Sequence, residues 1–416
     1  MNARVVTLSI LITLTSLGVR GAGPAASAPT TPCVSVLFVG DSLTYVNNMP
    51  ELVARIGQSK GRCIVTSMVA SGGESLRDHW QSGDVERALL ERRWQYVVIQ
   101  DQSTFGEAYL VNGDYRVHDA SDLFTYGHLI MALVRKHGGT PVVYLPWAAR
   151  FQQPRDTLYV RWAYVTFARG EHATIVPAMD AWARARRQLP AVNFFRPDGL
   201  HPTAAGAYLT AALFYAKIGR ASPLGATTTI VGPSVDFETG TLGKNARVQL
   251  VDMPEELGEH LQRIALEVAD QPAAMQPAKP GPIVLPTVPI GQAFRVGALE
   301  GQWKGPIHLY PRSGILTLYV CAQPRMTVRA TIDLTAGTQS HSFVDSRPTI
   351  TASSLAFTDH HGPSGGRIKY TAALTSKGLA GVGEILVPNA PIYGIGTWSA
   401  ARQSKGCGTS GDVHDP

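Results

Sequence analysis

Two short segments of this chain hold the residue types needed for acyl transfer. Gly40-Asp41-Ser42-Leu43 follows an apolar, β-branched run at 34–39. A Ser directly after a buried parallel strand sits at the strand's carboxyl end, where open α/β sheets bind ligands. The second segment is Asp198-Gly199-Leu200-His201-Pro202, and Pro202 helps open the helix-like stretch that follows. Asp and His three residues apart can fold towards each other. The carboxylate then holds one imidazole nitrogen and leaves the other facing the sheet end. In that arrangement a His takes the proton of a Ser hydroxyl and makes it a nucleophile. Each segment has a simpler use when taken alone: a turn Ser caps a helix, and Asp-x-x-His-Pro is also a capped helix start. Asn47 and Asn48 lie just past Ser42, where they contact substrate or serve local turn bonding. Tyr144, Pro146 and Trp147 end a later strand-like run at the same sheet edge, where an aromatic such as Trp147 stacks on a sugar or packs into the core. His79-Trp80 reads as cleft lining or core edge. His360 and His361 have only Asp359 beside them, so no metal site is assigned.

These residues need a scaffold that brings positions 42 and 198–201 to one edge. Strand-like runs at 34–39, 64–69, 96–100, 141–145 and 174–176 alternate with helix-like stretches at 50–59, 84–93, 119–137, 157–170, 179–188 and 202–218. Such alternation predicts a parallel sheet with helices on both faces. An amphipathic stretch at 255–270 reads as one more helix and closes a domain spanning 29–270. Six prolines within 271–289 predict a semi-rigid linker. From 290 to 416, strand-like runs such as 315–321 and 368–374 recur without a helical pattern, which predicts a β-sandwich-like domain.

Composition narrows the function classes. Hydrophobic residues make up 44% of the 416, enough to bury a sizeable core. The net charge is only +6 and its signs are evenly scattered, with no basic stripe interleaved with aromatics, so no nucleic-acid partner is expected. Residues 1–28 carry the marks of a cleavable export signal: Arg4, an apolar run at 5–19, and Ala26-Ser27-Ala28. That run is too short to span a bilayer, and no later stretch is long and apolar enough. The mature chain is expected to be secreted or periplasmic, with no transmembrane segment. Four cysteines in an exported chain predict disulfides. Cys33 and Cys63 each precede a strand-like run. If those strands are parallel neighbours the two cysteines lie side by side, which favours Cys33–Cys63 and leaves Cys321 for Cys407.

GDSL after the first strand and DGLHP before the last helix of an α/β domain resemble the first and fifth sequence blocks of the SGNH, or GDSL-type, serine hydrolases. The resemblance covers about residues 33–270. It implies a three-layer, flavodoxin-like parallel sheet, with Ser42 as nucleophile, His201 as general base and Asp198 as its orienting partner. The family's sheet order, with the second strand beside the first, also supports the Cys33–Cys63 pairing. The family's second block, a Gly whose N–H serves the oxyanion hole, matches Gly73, with Gly72 as the alternative. The third block departs: Gly-x-Asn-Asp is absent and Ile99-Gln100-Asp101-Gln102-Ser103 stands in its place. This segment resembles the branch with a Gln-containing third block, including sialate O-acetylesterase-like enzymes. The match implies Gln100 as the oxyanion-hole side chain, with Gln102 as runner-up.

The resulting expectation is an exported serine esterase. It acts on a small-molecule or glycan ester, such as a carbohydrate O-acetyl group, and needs no cofactor. A lipid or lysophospholipid esterase and a catalytically silent binding protein are the rival expectations.

Overall fold

The computed structural model describes residues 32–406, apart from 107–108, 113, 245–246, 272–277, 282–284, 295, 310–312, 323–325, 336–338, 363–365 and 388–391. The expected export signal, part of the Pro-rich segment and Cys407 lie outside the described residues.

The chain opens with β1 (Val34–Gly40), α1 (Ser42–Tyr45), α2 (Met49–Ser59), β2 (Ile64–Ala70), α3 (Leu76–Ser82), α4 (Asp84–Glu91) and β3 (Tyr96–Ile99). A short hairpin, β4 (Tyr109–Val111) and β5 (Asp114–Arg116), precedes α5 (Ser121–Lys136). Next come β6 (Thr140–Leu145), α6 (Pro154–Gly170), β7 (Thr174–Pro177), α7 (Ala178–Gln188) and α8 (Ala204–Gly219). Five of these strands form a parallel sheet in the order β2-β1-β3-β6-β7. This is the doubly wound order of flavodoxin-like folds, and its switch point lies where β1 meets β3.

Both faces of the sheet are covered, which is why β1 reads as a continuous apolar run. Val36 and Phe38 pack with Leu52, Trp182 and Phe214 on one face. Leu37 and Val39 pack with Leu89, Ile130 and Tyr164 on the other. The antiparallel pair β8 (Thr229–Gly232) and β9 (Val248–Asp252) precedes α9 (Glu255–Asp270), which joins the first of these layers through Leu261, Ile264 and Ala265.

The C-terminal strands are β10 (Gly301–His308), β11 (Gly314–Cys321), β12 (Thr327–Leu334), β13 (Ser340–Asp345), β14 (Thr349–Ile350), β15 (Leu355–Asp359), β16 (Arg367–Thr375), β17 (Gly378–Leu386) and β18 (Ile392–Ser404). They follow one antiparallel path, β13-β12-β11-β10-β18-β17-β16-β15-β14. The sheet doubles over, because Phe343 of β13 stacks on Tyr370 of β16 at 5.6 Å and on Phe357 of β15 at 6.2 Å. Inward residues alternate with outward ones, as in the buried–exposed pattern of β11. The two regions meet at β4, which pairs in parallel with β18 through Leu110 and Gly394, and Val111 and Ile395.

Cys33 and Cys63 form a disulfide with Cα atoms 4.6 Å apart. They sit one residue before the paired Val34 and Ile64 of the neighbouring strands β1 and β2. A loop of this size contributes about 3 to 4 kcal/mol in the chain-entropy model. Cys321 is also disulfide-bonded. No described helix is long and apolar enough to cross a membrane.

Candidate active site

Ser42 is the first residue of α1, at the carboxyl end of β1. The capping task belongs to its neighbour: the Asp41 carboxylate accepts from the Leu43 N–H at 2.8 Å. The Ser42 hydroxyl is therefore not needed as a cap, and His201 Nε2 lies 2.8 Å from its Oγ. His201 Nδ1 is 2.9 Å from Asp198 Oδ2, while Asp198 Oδ1 accepts from the N–H groups of Leu200 and His201. With Nδ1–H donated to the carboxylate, Nε2 is left to accept from Ser42. Here too the cap is another residue, since Thr203 accepts from Gly206 at the start of α8. Partial burial opposes the charge on Asp198. The Leu200 and His201 N–H bonds and the His201 ring outweigh it and hold the carboxyl below the usual aspartate value. Gly199, at φ +72°, permits the tight turn between the two residues.

Below Ser42 lies a buried polar network. Gln100 Oε1 accepts from the Asp41 N–H at 3.2 Å and from the Thr44 hydroxyl at 2.8 Å, and its Nε2 donates to the Asp101 carbonyl. Asp41, Thr44, Gln100 and Asp101 are each 2% exposed or less. Gly40 is required here, because a Cβ would stand 2.5 Å from Gln100 Oε1 and from Thr44 Oγ1. The Gly40 carbonyl is 2.9 Å from Nε2 of the fully buried His79, which donates to it. His79 thus sits under the nucleophile turn and does not line a cleft. Desolvation pushes the Asp101 carboxyl up to about 7, against N–H bonds from Leu76 and Gln102. Its second oxygen is buried and has no hydrogen-bond partner.

The Gln100 expectation is therefore corrected. Both ends of its amide are committed inside the protein, so it braces the Ser42 turn and offers no donor to a bound ester. Gln102 is placed differently. Its Oε1 accepts from the Thr104 N–H, the Thr104 hydroxyl and the Gly106 N–H, which fixes the amide plane. It lines a cavity of about 450 Å³ together with Trp147, Asp198, Leu200 and His201. The lining also includes Tyr115, Arg116 and Val117 from the β5 region, and Phe151 and Gln152 from the segment before α6.

Gly73 is exposed at φ +71°, and a side chain there would meet nothing within 4 Å. Gly72 is crowded instead, with a Cβ position 2.7 Å from the Glu238 carbonyl. Asn47 is engaged within the protein. Its Nδ2 donates to the Pro202 carbonyl at 2.9 Å, bracing the residue next to His201. Trp147 is 3% exposed, stacks on Trp182 at 3.9 Å and donates to the Leu200 carbonyl, yet one edge still meets the cavity. Tyr144 is fully buried in the core. Phe237 closes on the His201 ring edge-to-face at 4.9 Å, from a segment that shows no periodic pattern in the sequence. In the C-terminal sheet, Asp359 takes a 2.7 Å bond with His341. Among the described residues, no three His, Cys, Asp or Glu side chains are grouped to hold a metal ion.

No family model and no curated protein matches this chain. Solved structures do show similarity. One is a DUF4886 family protein from Bacteroides uniformis, at 15% identity and TM-score 0.43, covering 59% of this chain and 98% of that one. A mutant acetyl-xylooligosaccharide esterase from Geobacillus Stearmophilus is similar at 15% identity and TM-score 0.37, over 45% of this chain and 94% of that one. A lipase/acylhydrolase from Enterococcus faecalis is similar at 15% identity and TM-score 0.36, over 46% and 100%.

Proposed function

We propose that this chain is an exported serine esterase of the SGNH/GDSL type that hydrolyses small acyl esters, with carbohydrate O-acetyl groups as the natural class. The observation that carries the reading is the continuous hydrogen-bonded run Ser42–His201–Asp198 at 2.8 and 2.9 Å. His201 Nε2 takes the Ser42 proton as Oγ attacks the ester carbonyl, and Asp198 stabilises the imidazolium. His201 returns the proton to the leaving alcohol. It then activates water to hydrolyse the acyl-enzyme, so the cycle needs no cofactor.

The N–H groups of Ser42 and Gly73 and the Gln102 amide are the proposed oxyanion donors. Gln102 is preferred because its oxygen is pinned by three donors and it borders the cavity beside His201. The hydrolase domain is taken as 29–270 and the accessory β domain as 290–416, joined by the linker at 271–289. The Cys33–Cys63 disulfide fits an oxidising compartment.

The test is hydrolysis of p-nitrophenyl esters by the purified protein beside Ser42→Ala. Activity that is absent in the variant and falls with acyl length is the expected result. Activity that rises with acyl length points to a lipid substrate. A chain that neither hydrolyses esters nor reacts with a fluorophosphonate at Ser42 is a binding protein.

A further inference from the structure

Two exposed aromatic residues line the cavity that also borders Trp147 and His201. Tyr115 and Phe151 are 38% and 42% exposed, and their rings lie 5.1 Å apart at 45°. Large aromatics left in solvent as a contiguous pair mark a contact surface. Next to Phe151, Gln152 is tied back to Ala149, its N–H donating to the Ala149 carbonyl at 3.1 Å and its Oε1 accepting from the Ala149 N–H at 3.3 Å. Its Nε2 is buried and has no partner.

Tyr115 reaches this place because its arm is clamped on both sides. One residue on, Arg116 forms a bidentate pair with the buried Asp156 of α6, at 2.7 and 3.0 Å. Three residues back, Asn112 bonds to the last strand of the other sheet. Its N–H donates to the Ile395 carbonyl, and its Oδ1 accepts from the Thr397 N–H at 2.9 Å and the Thr397 hydroxyl at 3.2 Å.

We propose that the Tyr115–Phe151 pair is the subsite for the sugar ring of the leaving alcohol, and that the C-terminal sheet holds this subsite against the triad through Asn112. This rests on the esterase reading above. A pyranose presents an apolar C–H face and a rim of hydroxyls. The aromatic pair covers the apolar face and leaves the hydroxyl rim to solvent. The C-terminal domain is on this account a structural part of the substrate site.

The experiment compares two acetate esters by acetate release: ethyl acetate, whose alcohol is too small to reach the pair, and an O-acetylated methyl glucopyranoside. Phe151→Ala should raise KM for the sugar ester about tenfold and leave ethyl acetate within about twofold, while Phe151→Tyr stays near wild type. Asn112→Gly keeps the positive φ of this position but removes the acceptor for Thr397. It should raise the sugar-ester KM by about three- to fivefold, and Asn112→Asp, which retains the acceptor, should restore it. Retained turnover of ethyl acetate shows that each variant is folded. Phe151→Ala affecting both esters equally, or neither, overturns the subsite. So does a wild-type protein that cleaves ethyl acetate but not the sugar ester. Asn112→Gly without effect, or without rescue by Asp, overturns the role of the C-terminal sheet. A wild-type protein that cleaves neither ester overturns the esterase reading itself.

Discussion

The two turns that meet at the triad are held by different means. The Ser42 turn rests on a dry polar network of Asp41, Thr44 and Gln100, with His79 beneath it, all at 2% exposure or less. The Asp198–His201 turn is half-open to solvent, with side chains 39% and 16% exposed. It is shaped by its own backbone N–H groups, by Asn47 and by Trp147. The nucleophile therefore has its position set by groups that lose heavily if unpaired, since an unsatisfied buried polar atom costs about 1 to 3 kcal/mol. The base has its position set by local bonds that water can partly replace. Chemistry and stability should be tightly coupled on the first side and separable on the second.

Substitutions test this contrast, from the largest effect to the smallest. Ser42→Ala and His201→Ala should each lower kcat by at least about 10⁴-fold, with unchanged circular dichroism. Equal losses from both would show one catalytic unit despite the different supports. Gln102→Ala should cost about 10²- to 10³-fold in kcat with little change in the urea midpoint. Gln100→Ala should do the reverse in kind, losing about 2 to 4 kcal/mol of unfolding free energy because the Asp41 N–H and the Thr44 hydroxyl lose their acceptor. A Gln100 variant that is stable but inactive would return the oxyanion role to that residue. Asn47→Ala should lower kcat by only a few-fold and cost about 1 kcal/mol, measured by the same two assays.

The mildest probe is Asp101. Burial raises its carboxyl to about 7 in the folded chain, from 3.8 in the unfolded one. Between those values the folded state binds a proton that the unfolded state releases, so stability falls as pH rises through that window and levels off above it. Thermal melts of Asp101→Asn should lack this part of the slope between about pH 4 and pH 7.

The parallel sheet and the meeting of Ser42, His201 and Asp198 were legible in the sequence because their signals are local. β1 is a continuous apolar run, and the Asp198–His201 geometry is closed within four residues by the turn's own N–H groups. The place of Gln100 was not legible because its assignment came from the resemblance of the third block, which does not fix where the side chain points. β3 ends at Ile99, so alternation no longer fixes which way Gln100 and Gln102 face. The bond from Asn47 to the Pro202 carbonyl was not legible because that acceptor is distant in sequence. The β4–β5 hairpin went unmarked although Asn112-Gly113, between Tyr109–Val111 and Asp114–Arg116, is a hairpin signal. Its partner strand lies near the other end of the chain, and no local pattern announces that pairing.

The bond between Asn112 and Thr397 spans 285 residues. A chain that emerges amino end first can close the Ser42–His201 pair once residue 201 is out, but it cannot seat the Tyr115 arm until its final strand arrives. Contacts of such sequence separation form late, because the closure entropy must be met before they return anything. On the proposed reading, the groups for reactivity would come together before those for selectivity in a newly made molecule. A protein truncated before β18 should be born with its nucleophile and base intact and its choice of alcohol missing.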